Sequence, residues 1–349
     1  MSTYITPWPI NDSKGNTVHN TITAFLTCGL IINSPGDNFS DFETYEFYLQ
    51  AYGTEYESDP GDYVRSALKR GLAIAQTVGV NPYKFGFIGS TDSHTGLSTA
   101  EEYNFWGKYP NDSTPETKDQ SIIGDADNSG WSMSASGLAA VWVEENTREE
   151  IYAAFKRKEV YATTGPRLRL QMFASWMFPD RSDQAEDISK IGYAYGVPMG
   201  GDLLRKPEAT TPKFLIRAVK DPLGANLDRV QIIKGWLDEK RQQHEKVHNV
   251  AWSPGRLLDD NNNLPKVGNT VDLDTGRYTN SIGTPALSVM WQDPDFDPNQ
   301  RAFYYARVLQ IPTARHSLFD TIALQAGDLA NGPTTIQERA YTSPIWYTP

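Results

Sequence analysis

The chain has little cysteine, no long apolar run and fewer basic than acidic residues. Cys28 is the only cysteine among 349 residues, which excludes an internal disulfide and a cysteine-based zinc site. Its apolar neighbours predict a buried, unreactive thiol. No stretch approaches the about 18 consecutive apolar residues of a membrane span. The net charge of −11 argues against a nucleic-acid partner, which requires a basic face.

A secretory signal is also missing from the N-terminal residues. Residues 1–9 contain neither a basic segment nor an apolar one that follows it, so the sequence indicates no compartment. The chain does contain 27 glycines, 22 prolines and 12% aromatic residues. This composition predicts a globular protein with many turns and a substantial β component, and its length favours two domains.

The region 1–165 has the alternation of helices and strands that is typical of an α/β protein. A helix is predicted to end at Gly79, because glycine readily adopts the left-handed backbone of a C-cap. Thr147 and Glu150 form a capping-box pattern that opens a second helix. The predicted helices are 60–78, with Pro60 at the first helical position, and 148–158, and the predicted strands are 84–88, 138–143 and 160–165.

The region 166–349 alternates apolar and polar residues with period two instead. Strands of this kind, separated by turn residues, predict an antiparallel β-sandwich. No long helical pattern is apparent in this region. The predicted strands are 167–173, 213–219, 229–236, 246–252 and 301–309, and the predicted loops are 178–200 and 253–270.

The main candidate site follows the predicted strand at 84–88. Asp92 and His94 come directly after the turn at 89–91, and residues two apart point the same way in extended backbone. The carboxyl ends of strands are where α/β proteins usually place ligands. A carboxylate and an imidazole suit zinc, manganese or iron. The alternative is a polar loop, in which Asp92 caps the next turn and His94 is solvated.

Three other charged residues are candidates for supporting roles. Glu101 and Glu102 would orient a metal ligand from the outside, or else are solvated acids at the start of a helix. Arg167 would contact an anionic substrate, or else is a strand residue that faces solvent. A serine nucleophile beside His94 is disfavoured, because the chain has no Gly-x-Ser-x-Gly elbow.

Three other histidines and two acidic stretches each have a structural interpretation. His19 is expected at the surface, and His244 and His248 are expected to be solvated on a strand. Residues 125–130 resemble the start of a calcium loop, but position 12 of that loop is a serine instead of glutamate. Residues 293–297 have the same spacing with a proline at the glycine position, so they predict a rigid turn.

Several longer motifs resemble one known family. They are residues 63–72, 81–86, 88–96, 101–108, 161–167, 197–203, 293–298 and 337–340. On these motifs, the chain from about Asp37 onwards resembles the DUF3604 family. That family is similar to the PHP (polymerase and histidinol phosphatase) metallohydrolases, including carbaryl-hydrolase-type enzymes. The resemblance implies a partial PHP-like (β/α) barrel segment before the β-rich domain. It also implies that Asp92 and His94 correspond to Asp-x-His, the last of the metal-ligand motifs along a PHP sequence.

The His-x-His motif with which PHP enzymes open is absent. The chain has five histidines, and none forms that motif. The resemblance therefore implies either the C-terminal portion of a longer protein or a reduced relative. His19, Glu101, Glu102 and Asp125 are the residues that would extend the site if they lay near both ligands, and a partner chain is another source of ligands.

We therefore expect a metal-dependent hydrolase that is incomplete in this chain. Its substrate would be a small phosphoester or another ester, and its cofactor zinc, manganese or iron. The alternative is a non-catalytic module that binds a glycan, a peptide or another subunit and retains Asp92 and His94 as relics. The sequence leaves open whether the chain is an enzyme.

Overall fold

A computed structural model describes most of the chain after residue 60 and a few residues before it. The described residues are 10–11, 17–18, 24–27, 34, 37, 39, 60–97, 99, 101–118, 130–135, 137–205, 211–260, 263–325 and 333–349. The predictions made for His19, Cys28 and the loop that starts at Asp125 lie outside these residues.

Strands dominate the described residues. The helices are α1 Val64–Val78, α2 Pro115–Lys118, α3 Arg148–Arg157, α4 Ile188–Tyr195 and α5 His316–Leu324. The strands are β1 Ile10–Asn11, β2 Thr17–Val18, β3 Ala24–Thr27, β4 Phe87–Ser90, β5 Leu138–Val141, β6 Val160–Thr163, β7 Arg169–Ser175, β8 Val197–Pro198, β9 Asp202–Leu204, β10 Lys213–Val219, β11 Leu227–Leu237, β12 Gln243–Trp252, β13 Ala286–Gln292, β14 Ala302–Gln310, β15 Thr313–Ala314, β16 Thr335–Ile336, β17 Arg339–Thr342 and β18 Ile345–Thr348. Among the described helices, none combines the length and the apolar character needed to cross a bilayer.

Two mainly antiparallel sheets share one apolar core. The smaller sheet has the order β13-β10-β7-β8, and the larger has the order β12-β11-β14-β17-β6-β5, with β18 beside β14 and β9 beside β18. Alternation along β10 sends Ile216 into the shared core and Leu215 to the opposite face. The predicted mixed fold with an antiparallel, β-rich C-terminal region is confirmed.

A helix covers the outer face of each sheet. Val64, Leu68 and Leu72 of α1 pack with Phe303 and Tyr305 of the larger sheet. In the same way, Ile188 of α4 packs on the smaller sheet. The central strand β14 is buried along its whole length because it is covered on both faces, and its sequence is therefore apolar rather than strictly alternating.

The strand that leads to Asp92 belongs to a short parallel pair. β3 and β4 pair in parallel, with α1 between them in the sequence. β4 also lies close against β5 and β6, since a Cβ added at Gly89 would be 2.7 Å from the carbonyl oxygen of Thr163. Residues 91–94 therefore leave β4 next to the carboxyl end of β6. The described residues contain this one helix-linked parallel pair, and the larger barrel segment stays a prediction.

The loop predicted at 178–200 is wrong, because it contains α4 and a 3₁₀ turn at Ser182–Gln184. Asp187 caps α4 by accepting a hydrogen bond from the backbone N–H of Ser189 at 2.9 Å. The helix passes so near the sheet that a Cβ at Gly192 would be 2.4 Å from the ring of Phe173. This tertiary contact stabilises a segment whose own sequence has few helix formers.

The larger sheet crosses the predicted domain boundary. β5 and β6 precede residue 165, yet β6 pairs with β17 near the C terminus. The division into 1–165 and 166–349 stays a prediction, but the two regions contribute strands to the same sheet.

Candidate functional site

Asp92 begins the loop that follows β4 and has an uncommon backbone conformation. Its φ is 52°, in the left-handed region that aspartate tolerates better than most residues. The side chain is half-buried. Within the described part of the chain, its carboxylate has no hydrogen-bond or ion-pair partner. The carboxylate is thus available to a ligand.

His94 is exposed but held on two sides. Its backbone N–H donates to the carbonyl oxygen of Lys108 at 2.8 Å. Its ring stacks on Tyr109, with centroids 4.6 Å apart and planes 15° apart. Because Asp92 is left-handed, the backbone between the two candidates is not extended, and the strand-periodicity argument for their shared direction does not apply.

The predicted metal ligands form no larger cluster among the described residues. No group of three ligand atoms from His, Cys, Asp or Glu within 4.8 Å of one another includes Asp92 or His94 in that part of the chain. Glu101 and Glu102 do not complete the site in this sense, and His19 and Asp125 lie outside the described residues. Asp92 and His94 are two donors that suit a metal ion, and the described residues contain no third donor close to them.

Glu101 and Arg167 face each other at the surface. The guanidinium of Arg167 lies 3.9 Å from the carboxylate of Glu101, and the Arg167 side chain is 69% exposed. An exposed pair at this distance contributes at most about 1 kcal/mol to stability. The pair is thus of little structural importance, and Arg167 remains accessible to an anion.

Glu102 contacts the C-terminal region instead of solvent alone. Its carboxylate accepts a hydrogen bond from the backbone N–H of His316, at the start of α5, at 2.7 Å. It also contacts the buried Glu338, which accepts a hydrogen bond from the hydroxyl of Thr164. Burial, followed by the negative charge of Glu102, raises the pKa of Glu338 to about 8. Glu338 is therefore mainly protonated at neutral pH.

A different group of three residues lies close enough together to bind a metal ion. Ligand atoms of His248, Asp293 and Asp295 lie within 4.8 Å of one another. However, the ammonium of Lys234 lies 2.6 Å from the Asp293 carboxylate, and Lys246 pairs with Asp295. These lysines already neutralise both carboxylates, so the group does not require a metal ion.

The acidic turn agrees with its prediction, but His244 and His248 are not solvated as predicted. Both are half-buried, because the His244 ring stacks on Trp236 and the His248 ring lies against Trp291. His244 and His248 lie on β12, where four residues span about 13 Å; a zinc pair is therefore ruled out there. The side chain of Asp293 accepts from the backbone N–H of Asp295 at 2.9 Å, and the segment is a turn before β14.

Sequence reasoning missed a buried charge network. The Asp37 carboxylate bridges Arg65 at 2.9 Å and Arg307 at 2.8 Å, and Arg65 also pairs with Glu245 at 2.9 Å. Burial alone would raise the pKa of Asp37, but the charges of Arg307 and Arg65 outweigh it and the pKa is lowered. One feature of the sequence could have indicated the network. Arg65 lies between Val64 and Leu68 on the apolar face of α1, where a charged side chain needs a buried partner.

Comparison with known families covers most of the chain. No curated protein sequence matches it. The model of DUF3604, described as a protein of unknown function, matches residues 29–349. Since this match includes the Asp92 loop, both sheets and the C terminus, the chain belongs to the DUF3604 family.

Proposed function

We propose that the chain carries part of a PHP-type, metal-dependent hydrolase site with Asp92 and His94 as metal ligands. The observation that carries the proposal is the half-buried carboxylate of Asp92, which has no partner among the described residues. An imidazole lies two residues further along the same loop. A carboxylate and an imidazole are suitable donors for zinc, manganese or iron.

The proposed substrate is a small phosphoester or another ester. When bound, a divalent ion lowers the pKa of a water molecule and polarises the substrate oxygen. Asp92 and His94 would hold the ion, and the exposed Arg167 would bind an anionic group. Further ligands would come from residues outside the described part or from a partner chain. The parallel pair β3–β4 supports the proposal that this region is a barrel segment.

Metal binding tests the proposal directly. Titration with Zn²⁺ and Mn²⁺ should show weak binding, with a Kd on the order of 10–100 μM, because two protein ligands provide little of the coordination shell. Asp92→Asn and His94→Ala should each weaken binding at least about tenfold, since each removes a donor or its charge. Asparagine also tolerates the left-handed backbone, which separates the loss of charge from backbone strain.

The controls replace residues of the same type at other places. Asp260→Asn changes an exposed acid, and His244→Ala changes a histidine on β12. Absence of metal binding by the wild-type chain, or equal binding by all four variants, would contradict the proposal. Hydrolysis of an aryl phosphate or aryl ester that requires metal and Asp92 would support it further, and metal-independent binding of a glycan or peptide would favour the alternative module.

A further inference from the structure

The segment 107–112, called here the 107–112 turn, contacts Thr91 and His94, which lie before and after Asp92 in the loop. Asp112 is 1% exposed, and its carboxylate accepts from the backbone N–H groups of Lys108 at 3.1 Å and Tyr109 at 2.7 Å. Gly107 has φ 73°, and a Cβ there would be 2.3 Å from the carbonyl oxygen of Asp112. A glycine is therefore required at position 107. The Asp112 carboxylate fixes the backbone of Lys108 and Tyr109, the two residues that follow this glycine.

The 107–112 turn contacts the residues on either side of Asp92. The Lys108 ammonium donates to the carbonyl oxygen of Thr91 at 2.6 Å. That carbonyl belongs to the peptide group before the Asp92 Cα. Rotation about the N–Cα bond of Asp92, which φ measures, sets the orientation of this group, so the contact favours the left-handed conformation. On the other side, the carbonyl oxygen of Lys108 accepts from the His94 N–H, and the Tyr109 ring lies against the imidazole.

We infer that Tyr109 is a positioning residue that orients the His94 imidazole for metal binding. The inference rests on the proposed function. His94 is exposed, and an exposed histidine samples several rotamers, only some of which direct a ring nitrogen toward the Asp92 carboxylate. Stacking at 4.6 Å on a ring whose own backbone is held by Asp112 reduces this freedom.

The face of Tyr109, and not its hydroxyl, makes the stacking contact. Tyr109→Phe keeps an aromatic ring and Tyr109→Leu removes it, which provides a matched pair of variants. The Leu variant should bind Zn²⁺ about twofold to tenfold more weakly than wild type, because ordering one side chain on binding costs that much. The Phe variant should bind as wild type does, and Tyr152→Leu, at an exposed position on α3, serves as the control.

An NMR measurement separates this inference from the proposed function. Without metal, the ring current of Tyr109 should shift the His94 Cε1–H resonance, and the shift should be kept in Tyr109→Phe and lost in Tyr109→Leu. Equal zinc affinities for the Leu and Phe variants, despite that loss, would overturn the positioning role. If the wild-type chain binds no metal, the proposed function fails; a His94 resonance that Tyr109→Leu leaves unchanged then overturns the stacking itself.

Discussion

At the scale of single residues, the carboxyl pair of Glu102 and Glu338 is the most unusual feature. Glu338 is 5% exposed, and both its burial and the negative charge of Glu102 favour its protonated form. Thr164 donates to Glu338, and Arg339 favours its ionised form but does not prevent the rise in its pKa. The folded chain therefore retains a proton that the unfolded chain releases.

The pair predicts a dependence of stability on pH. The pKa of Glu338 rises from 4.5 to about 8 on folding, so its contribution is complete below the lower value and lost as pH rises to the upper one. In this window the free energy of unfolding should fall by up to about 1.4 kcal/mol per pH unit. Urea denaturation between pH 5 and 9 should show the fall in wild type relative to Glu338→Gln, and parallel profiles would contradict the prediction.

Asp92 illustrates what a residue pattern indicates and what it omits. The Asp-x-His motif marked the loop, but it did not indicate the left-handed backbone of Asp92 or the hydrogen bond from Lys108 to the neighbouring Thr91 carbonyl. No pattern within residues 85–96 records that contact, because it comes from a separate segment of the chain.

At the scale of elements, the end of α1 and the start of α3 were the most predictable features, whereas α1 begins at Val64 and not at the predicted Pro60, which lies in a 3₁₀ turn. Gly79 caps α1 with φ 83° and donates to the carbonyl oxygen of Ala75 at 2.9 Å. Thr147 accepts from the backbone N–H of Glu150 at 3.2 Å. Both signals are local, so the sequence alone contains them. The helix α4 was missed because its stability depends on Phe173, which lies on another element.

The cap of α3 offers a quantitative check. Thr147→Ala should lower the free energy of unfolding by about 1 kcal/mol, because the Glu150 N–H loses its acceptor at the helix end. Thr147→Ser keeps the hydroxyl and should lower it by much less. Urea denaturation of both variants measures the difference, and equal losses would show that the methyl group, rather than the hydrogen bond, stabilises this end.

At the scale of the whole molecule, buried charges connect segments that are far apart in the sequence. Asp37 joins α1 to β14 through Arg65 and Arg307. Composition and periodicity predicted the mixed fold and the β-rich C-terminal region. They did not predict this network, because ion pairing between distant segments has no signature in a single sequence.

The network should be important for stability. Asp37→Asn should lower the free energy of unfolding by about 3 kcal/mol, since it leaves two buried guanidinium groups without their shared carboxylate. Asp202→Asn, which breaks the more exposed pair with Lys84, should cost less than about 1 kcal/mol. Urea denaturation of both variants gives the comparison, and similar costs would mean that Asp37 contributes no more than a surface charge.

The pairing of β6 with β17 also determines when the chain can complete its folding. Tyr161 pairs with Thr342, so β6 leaves the ribosome about 180 residues before its partner strand. At 5–20 residues per second, this delay is about 10 to 40 seconds. During that time the edge of β6 that will pair with β17 is open to other chains, as unpaired strand edges are prone to association. The pairing edge of β6 therefore stays without its partner until residues 339–342 have been made.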